Sequence, residues 1–253
     1  GFGLVAGEVA ARRGGPDDLL RAVTTLETWP DLGLDRAEAA GILGRVTPWT
    51  VGGGLRALYA ELAVREGKPR WGDKTPGHLR CMASLGELLP EAHFIHIIRD
   101  GRAVAASVRN VPFAPGDGSI EAIADDWRDQ ILAGRSAGAA LPHYHELRYE
   151  RLVDEPEQAL REVCEFVELE FDASMLRAHE FARRRLDQLP EKRPLRGGID
   201  TKAERLARHA NVMRPPDPAL AHRWRKLLTS DDVARFEARA GGLLTDLGYA
   251  AVG

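Results

Sequence analysis

The chain has 253 residues, 44% of them hydrophobic and 29% charged, enough to bury the core of one large domain. A formal net charge of -3 excludes the strong basic excess of a general nucleic-acid binder, so anion binding must come from locally placed Arg and Lys. No apolar run approaches the length of a membrane span and no signal peptide opens the chain; the two cysteines, Cys81 and Cys164, sit in apolar helical stretches that suit reduced core residues of a cytoplasmic protein.

Helical spacing runs over residues 17–29, with an acidic start after Pro16, and again over 35–45 and 55–66. Residues 70–76 (RWGDKTP) read as a short strand running into a turn. Thr75-Pro76 then opens the next helix, 78–89, because proline suits a helix's first positions. Pro90 ends it. Residues 94–98 (FIHII) are few and almost uniformly apolar, which predicts a strand covered on both faces. After Arg99-Asp100-Gly101-Arg102, helix resumes over 104–109. Residues 111–118 (VPFAPGDG) form a Pro/Gly-rich loop where a lid or substrate wall can sit.

A long amphipathic helix carrying Trp127 is predicted over 119–140, a second strand over 145–149 and a helix over 156–168. Residues 181–198 read as irregular and basic. Ser230-Asp231-Asp232 caps a final helix that ends near Gly248. Strands alternating with helices predict an α/β fold, helix-rich with long loops, in one domain over 1–253. Its ligands would lie at the carboxyl ends of a parallel sheet.

Arg99 lies just past the carboxyl end of the 94–98 strand, and Ser107 follows eight residues later. A turn of backbone can bring the serine hydroxyl toward the same anion. A guanidinium fork, a hydroxyl and the amides of a helix N-terminus would then share one ligand. The segment is read equally well as a solvated turn followed by a tolerated helix serine. Lys74, in WGDKTP, is a second cation at a second predicted strand end. Converging cations are what phosphoryl or sulfuryl transfer needs, because such reactions depend on positioning and on neutralising charge as it builds on the leaving oxygen. Alone, Lys74 reads as a surface lysine.

Other features carry less. His96 alternates within an apolar strand and reads as a satisfied core histidine. His143 and His145 lack the Cys or carboxylate company of a metal site. Arg183-Arg184-Arg185 through Arg196 read as a solvated face.

In combination, WGDKTP, LGELLPEAHFIHIIRDGRAVAAS, LRYERLVDEPEQALREVCEFVEL, HRWRKLL and LTDLGY resemble the sulfotransferases that use 3'-phosphoadenylyl sulfate (PAPS), and among them bacterial members similar to tyrosylprotein sulfotransferases. The resemblance runs in register from about residue 70 onward, and the Arg-Asp-Gly-Arg and LRYERLVDEPE segments are its most specific parts. It implies a P-loop-like parallel sheet flanked by helices. It also implies transfer of a sulfuryl group from PAPS to an acceptor hydroxyl or amine, on a small molecule or a peptide, with no metal. By the same resemblance, Arg99 and Ser107 hold the 3'-phosphate, Tyr149 lies against the nucleotide, and Lys74 supports the bridging or sulfuryl oxygens. Arg214, before Pro215, and Arg223, before Trp224, complete the 3'-phosphate side.

The resemblance further implies a glycine-rich phosphosulfate loop, and nothing in the sequence matches it. Gly52-Gly53-Gly54 lacks the serine, threonine and basic residue of such a loop and reads as a helix start. The chain begins at Gly1-Phe2 and reads as a fragment lacking that first strand and loop. Transfer to a hydroxyl needs a group to take the proton. Glu8, in a Gly-Glu context like that of the tyrosylprotein branch, is the candidate, against the plainer reading of a surface glutamate. Two rival functions stand beside sulfuryl transfer. One is a nonenzymatic module that binds 3'-phosphoadenosine nucleotides without transfer. The other is a P-loop kinase, which needs a Walker lysine and a magnesium carboxylate that are not evident here. Walls for the acceptor are expected in residues 1–68, 111–118 and 181–198.

Overall fold

The computed structural model describes residues 2–109, 111, 114–195 and 198–250; Arg196, with Pro112 and Phe113 of the predicted 111–118 loop, lies outside them. The chain forms two compact units, Gly1–Ala92 with His179–Arg214, and His93–Ala178 with Pro215–Gly253.

The second unit is built on β1 (Phe94–Ile98) and β2 (Tyr144–Arg148), paired in parallel with Phe94 opposite Tyr144 and Ile98 opposite Arg148. Parallel pairing needs a crossover, which the Gly101–Val108 and Ile120–Gly138 helices supply. The longer helix starts where Ser119 accepts a hydrogen bond from the Ala122 N–H at 3.2 Å. Its apolar stripe of Ile123, Trp127 and Ile131 shares one core with Phe236, Ala240 and Leu244 of the closing Ser230–Asp246 helix. Gly101 lets the shorter helix start flush against that core. A Cβ there would stand 2.4 Å from Phe236 Cζ and 2.7 Å from the Trp127 ring.

The expectation of a strand covered on both faces fails on one side. Successive strand residues point to opposite faces, and Ile95 and Ile97 are 39% and 52% exposed while Ile98 is 2% exposed. Among the described residues the parallel sheet has two strands, and the face bearing Ile95 and Ile97 stays open.

Thr229, rather than Ser230, caps the closing helix. Its hydroxyl accepts from the Asp232 N–H at 3.1 Å, and its own N–H donates to Asp232 Oδ2 at 3.0 Å. Arg109 donates to the same oxygen at 2.9 Å. Burial alone would raise the Asp232 pKa, but the hydrogen bonds from Thr229 and Arg109 outweigh it and hold it down at about 2. A carboxyl lowered on folding adds stability that is complete above its unfolded value, roughly pH 4, and is lost as the pH falls through the folded one. Asp232→Asn is therefore expected to flatten the fall of the urea midpoint between about pH 4 and pH 2. Equal acid slopes in the two proteins would contradict this.

In the first unit, helices Phe2–Ala11, Pro16–Thr24, Arg36–Gly44 and Val51–Arg65 gather around Leu19, Val23, Leu43 and Leu55. The predicted 17–29 helix stops at Thr24, whose hydroxyl donates back to the Leu20 carbonyl at 2.8 Å, and Trp29–Leu32 is a separate 3-10 turn. The helix predicted from residue 55 begins at Val51, where Thr50 accepts from the Gly53 N–H at 2.9 Å. Gly52-Gly53-Gly54 forms part of its first turn, as expected of a helix start. A Cβ on Gly52 would stand 2.1 Å from the Leu88 carbonyl oxygen, so the glycine serves close packing.

Residues 70–76 form no strand. Trp71 stacks on Tyr59 with centroids 4.6 Å apart, and the Tyr59 hydroxyl donates to Asp73 Oδ2 at 2.8 Å. These contacts pin the segment to a helix instead of to a ladder. The predicted 78–89 helix divides into a 3-10 turn, Pro76–Cys81, and an α-helix, Met82–Leu88. Residues 181–198 are not irregular. They contain most of the Ala178–Asp187 helix and the strand β3 (Lys192–Leu195), which pairs antiparallel with β4 (Gly198–Thr201). Asp200 of β4 is 1% exposed and accepts from Arg208 at 2.6 Å and Arg193 at 3.1 Å. Cys81 and Cys164 are buried free thiols.

Candidate functional site

β1 and β2 end side by side, because Ile98 and Arg148 are register partners. Arg99 and Tyr149 are the next residue of each chain segment. The Arg99 guanidinium carbon lies 4.8 Å from the Tyr149 ring centroid. Nη2 donates to the Leu220 carbonyl at 3.3 Å, and Nε is buried without a hydrogen-bond partner among the described residues. The Arg99 carbonyl accepts from Trp127 Nε1 at 3.1 Å, which fastens the backbone and leaves the side chain to project. A buried guanidinium N–H without an acceptor is costly, and an anionic oxygen relieves that cost with a charge-assisted bond.

Leu220 lies on the Pro218–His222 helix, and Arg223 follows it one helical turn later. Arg223 is exposed, with no side-chain partner among the described residues. Ser107 is exposed in the last turn of the Gly101–Val108 helix, roughly 9 Å along the axis from its start. The structure thus joins Arg99 with Tyr149, ties both to the turn that carries Arg223, and sets Ser107 farther along the helix that Arg99 leads into.

The other arginine of the turn has opposite surroundings. Arg102 is 1% exposed and bonds both Asp100 oxygens, at 3.0 Å from Nε and 2.8 Å from Nη2. It also donates to Glu237 Oε1 at 2.6 Å and to the Ala250 carbonyl at 2.9 Å, and its guanidinium lies 4.2 Å over the Trp224 ring. Asp100 in turn caps the helix by accepting from the Arg102 N–H at 2.9 Å. Arg102 is a strut of the turn, and Arg99 is its free hand.

In the first unit, Lys74 is exposed with no side-chain partner among the described residues. Its neighbour Asp73 is engaged: besides Tyr59, Thr75 Oγ1 donates to Oδ1 at 3.2 Å and His78 Nε2 lies 3.2 Å from Oδ2. Burial raises the Asp73 pKa, but the close approach of His78 and the hydrogen bonds from Tyr59 and Thr75 outweigh it and leave the carboxyl below its ordinary range. Burial and the Asp73 charge push the Tyr59 phenol up. Glu8 is exposed on the Phe2–Ala11 helix, and Arg214 is exposed just after the Ala210–Met213 turn.

The profile of the Sulfotransferase family matches residues 47–173, half of the chain. The chain belongs to this family. It is 26% identical over 223 residues to protein-tyrosine sulfotransferase A of Caenorhabditis elegans, covering 85% of this chain and 53% of that protein. It is also 26% identical over 242 residues to protein-tyrosine sulfotransferase 1 of Danio rerio, covering 90% and 62%. The chain spans about half the length of the first curated relatives it matches. A sulfotransferase domain from the curacin biosynthetic pathway shares the fold, with a TM-score of 0.57 at 17% identity over 88% of this chain and 77% of that domain.

Within this chain, sequence reasoning missed the supports beneath the turn. It did not single out Asp100, Arg102, Glu150, Glu237 or Tyr249. Four of them stand in the quoted motifs RDGR, LRYE and LTDLGY, so a signal was present; Glu237 lies in none. His96 is bonded as expected of a core histidine. Its Nδ1 lies 2.7 Å from the Tyr144 hydroxyl, which donates to Glu146 at 2.8 Å. His143 stacks on His93 at 4.3 Å, and His145 on Phe166 at 5.1 Å. Among the described residues no group of three His, Cys, Asp or Glu could hold a metal, and no helix is long and apolar enough to cross a membrane.

Proposed function

We propose that this chain binds PAPS through Arg99 and Tyr149 and transfers its sulfuryl group to an acceptor hydroxyl or amine. One observation carries the reading: at the carboxyl end of a parallel strand, Arg99 has a buried Nε without an acceptor and a guanidinium laid over an aromatic ring. That donor set fits a phosphate oxygen beside a nucleotide. Arg223 adds a second cation just after the helix whose Leu220 carbonyl Arg99 bonds, and the family resemblance assigns Ser107 as a hydroxyl donor and Arg214 as a further cation. In transfer, the acceptor atom bonds to sulfur as the bond from sulfur to the 5'-phosphate oxygen breaks. The acceptor proton passes to a base, and 3'-phosphoadenosine 5'-phosphate leaves. Lys74 is the group assigned to neutralise charge on the leaving oxygen, and Glu8 the group assigned to the proton. The relatives named protein-tyrosine sulfotransferases make a peptide hydroxyl one acceptor to try first. Buried free thiols accord with a reducing, cytoplasmic setting.

The test is thermal unfolding of the full-length protein with 3'-phosphoadenosine 5'-phosphate. At about a hundred times its Kd the nucleotide should stabilise by about 2.7 kcal/mol, a rise on the order of 5–10 °C. Adenosine 5'-monophosphate, which lacks the 3'-phosphate, should do far less. No shift at millimolar nucleotide would sink the reading.

A further inference from the structure

We infer that Glu150 is a positioning residue that sets the separation of Arg99 and Tyr149. The inference rests on the nucleotide reading above, but other contacts carry it. Glu150 follows Tyr149 as Asp100 follows Arg99, and it is 4% exposed. Its Oε1 accepts the Asp100 N–H at 3.0 Å, and its Oε2 accepts the Tyr249 hydroxyl at 2.9 Å. Tyr249 is itself held: the Arg148 guanidinium lies 4.4 Å over its ring, and its hydroxyl oxygen is 3.4 Å from the Ile98 carbonyl oxygen.

The β ladder ends at the Ile98–Arg148 pair. Beyond that pair, backbone hydrogen bonds no longer fix the two segments against each other. Glu150 takes over at that point, reaching from the residue after Tyr149 to the first amide after Arg99. The two side chains that would grip the nucleotide each stand next to one end of this brace. Both carboxylate oxygens are engaged within the fold, so Glu150 acts on a ligand through Arg99 and Tyr149 and not by contact.

Chemistry separates the variants. Glu150→Gln keeps the brace, because the amide oxygen can accept the Asp100 N–H while the amide nitrogen donates to the Tyr249 oxygen. Glu150→Ala leaves the Asp100 N–H and the Tyr249 hydroxyl without their acceptor. Tyr249→Phe removes one end of the brace and spares the carboxylate.

Two measurements on the full-length protein decide the matter. The first needs no ligand: amide exchange at Asp100, read by mass spectrometry of the segment around it. Glu150→Ala should speed this exchange by about tenfold or more and Glu150→Gln by less than about threefold. The second is calorimetric binding of 3'-phosphoadenosine 5'-phosphate, alone and in an Arg99→Ala background. Glu150→Ala should weaken binding about tenfold in the parent and less than about threefold once Arg99 is gone, because residues acting through one another are not additive.

Equal losses with and without Arg99, or a glutamine variant as poor as the alanine one, would overturn the inference. If the alanine variant does not fold, Tyr249→Phe takes its place, and unchanged Asp100 exchange in it has the same meaning. A parent protein that binds no nucleotide refutes the nucleotide reading by itself, and the exchange measurement then decides the brace alone.

Discussion

Arg99→Ala is expected to weaken binding of 3'-phosphoadenosine 5'-phosphate by about 10²- to 10³-fold while leaving the ligand-free protein nearly as stable as before. Two charge-assisted hydrogen bonds to one phosphate, at about 1.5–3 kcal/mol each, set that range after some loss to solvent, at about 1.4 kcal/mol per tenfold. Stability should hardly move, because Arg99 makes one 3.3 Å bond to the Leu220 carbonyl and one ring contact within the fold. Arg99→Lys should recover only part of the affinity, since an ammonium cannot offer the planar fork or lie flat on Tyr149. Calorimetric titration at fixed ionic strength measures both. A dissociation constant unchanged in Arg99→Ala would remove Arg99 from the site.

Arg102→Met should show the reverse pattern. Removing this guanidinium leaves Asp100, 5% exposed, and the partly buried Glu237 without their shared cation, and leaves the Ala250 carbonyl without its donor. Breaking a buried ion pair from one side costs about 3–5 kcal/mol. For a protein of this size that is a fall in Tm on the order of 10 °C. Denaturation followed by circular dichroism reads the effect without ligand. A Tm within a couple of degrees of the parent would show that the turn does not need Arg102. Two arginines three residues apart in RDGR thus part company, the first expected to govern affinity and the second stability.

That division is what the sequence could not display. FIHII followed by RDGR was legible as strand, turn and helix, because a short apolar run ending on charge and glycine has few other solutions. Which arginine is locked in as a strut depends on Trp224, Glu237 and Ala250, all more than a hundred residues away in the chain. The 70–76 segment was misread as a strand because its partner, Tyr59, sits on a helix that local pattern does not connect to it. Residues 181–198 looked irregular because arginines hide a helical period. Part of their order comes from Asp200, a single buried acid that gathers Arg193 and Arg208. Tyr149 could be picked from its place in LRYE. Its neighbour Glu150 drew no notice, since one letter does not reveal a bond to an amide fifty positions earlier.

The reach of the Arg102 bonds also bears on how the protein comes into being on the ribosome. Arg102 and the Ala250 carbonyl are separated by 148 positions. At about 5–20 residues per second, roughly seven to thirty seconds of translation pass between the two. During that interval β1 and the turn after it are already made, but Asp100 and Arg102 wait for Glu237 and Ala250. The nascent chain therefore carries a half-built grip for the whole synthesis of its last helices, and it closes only when they emerge.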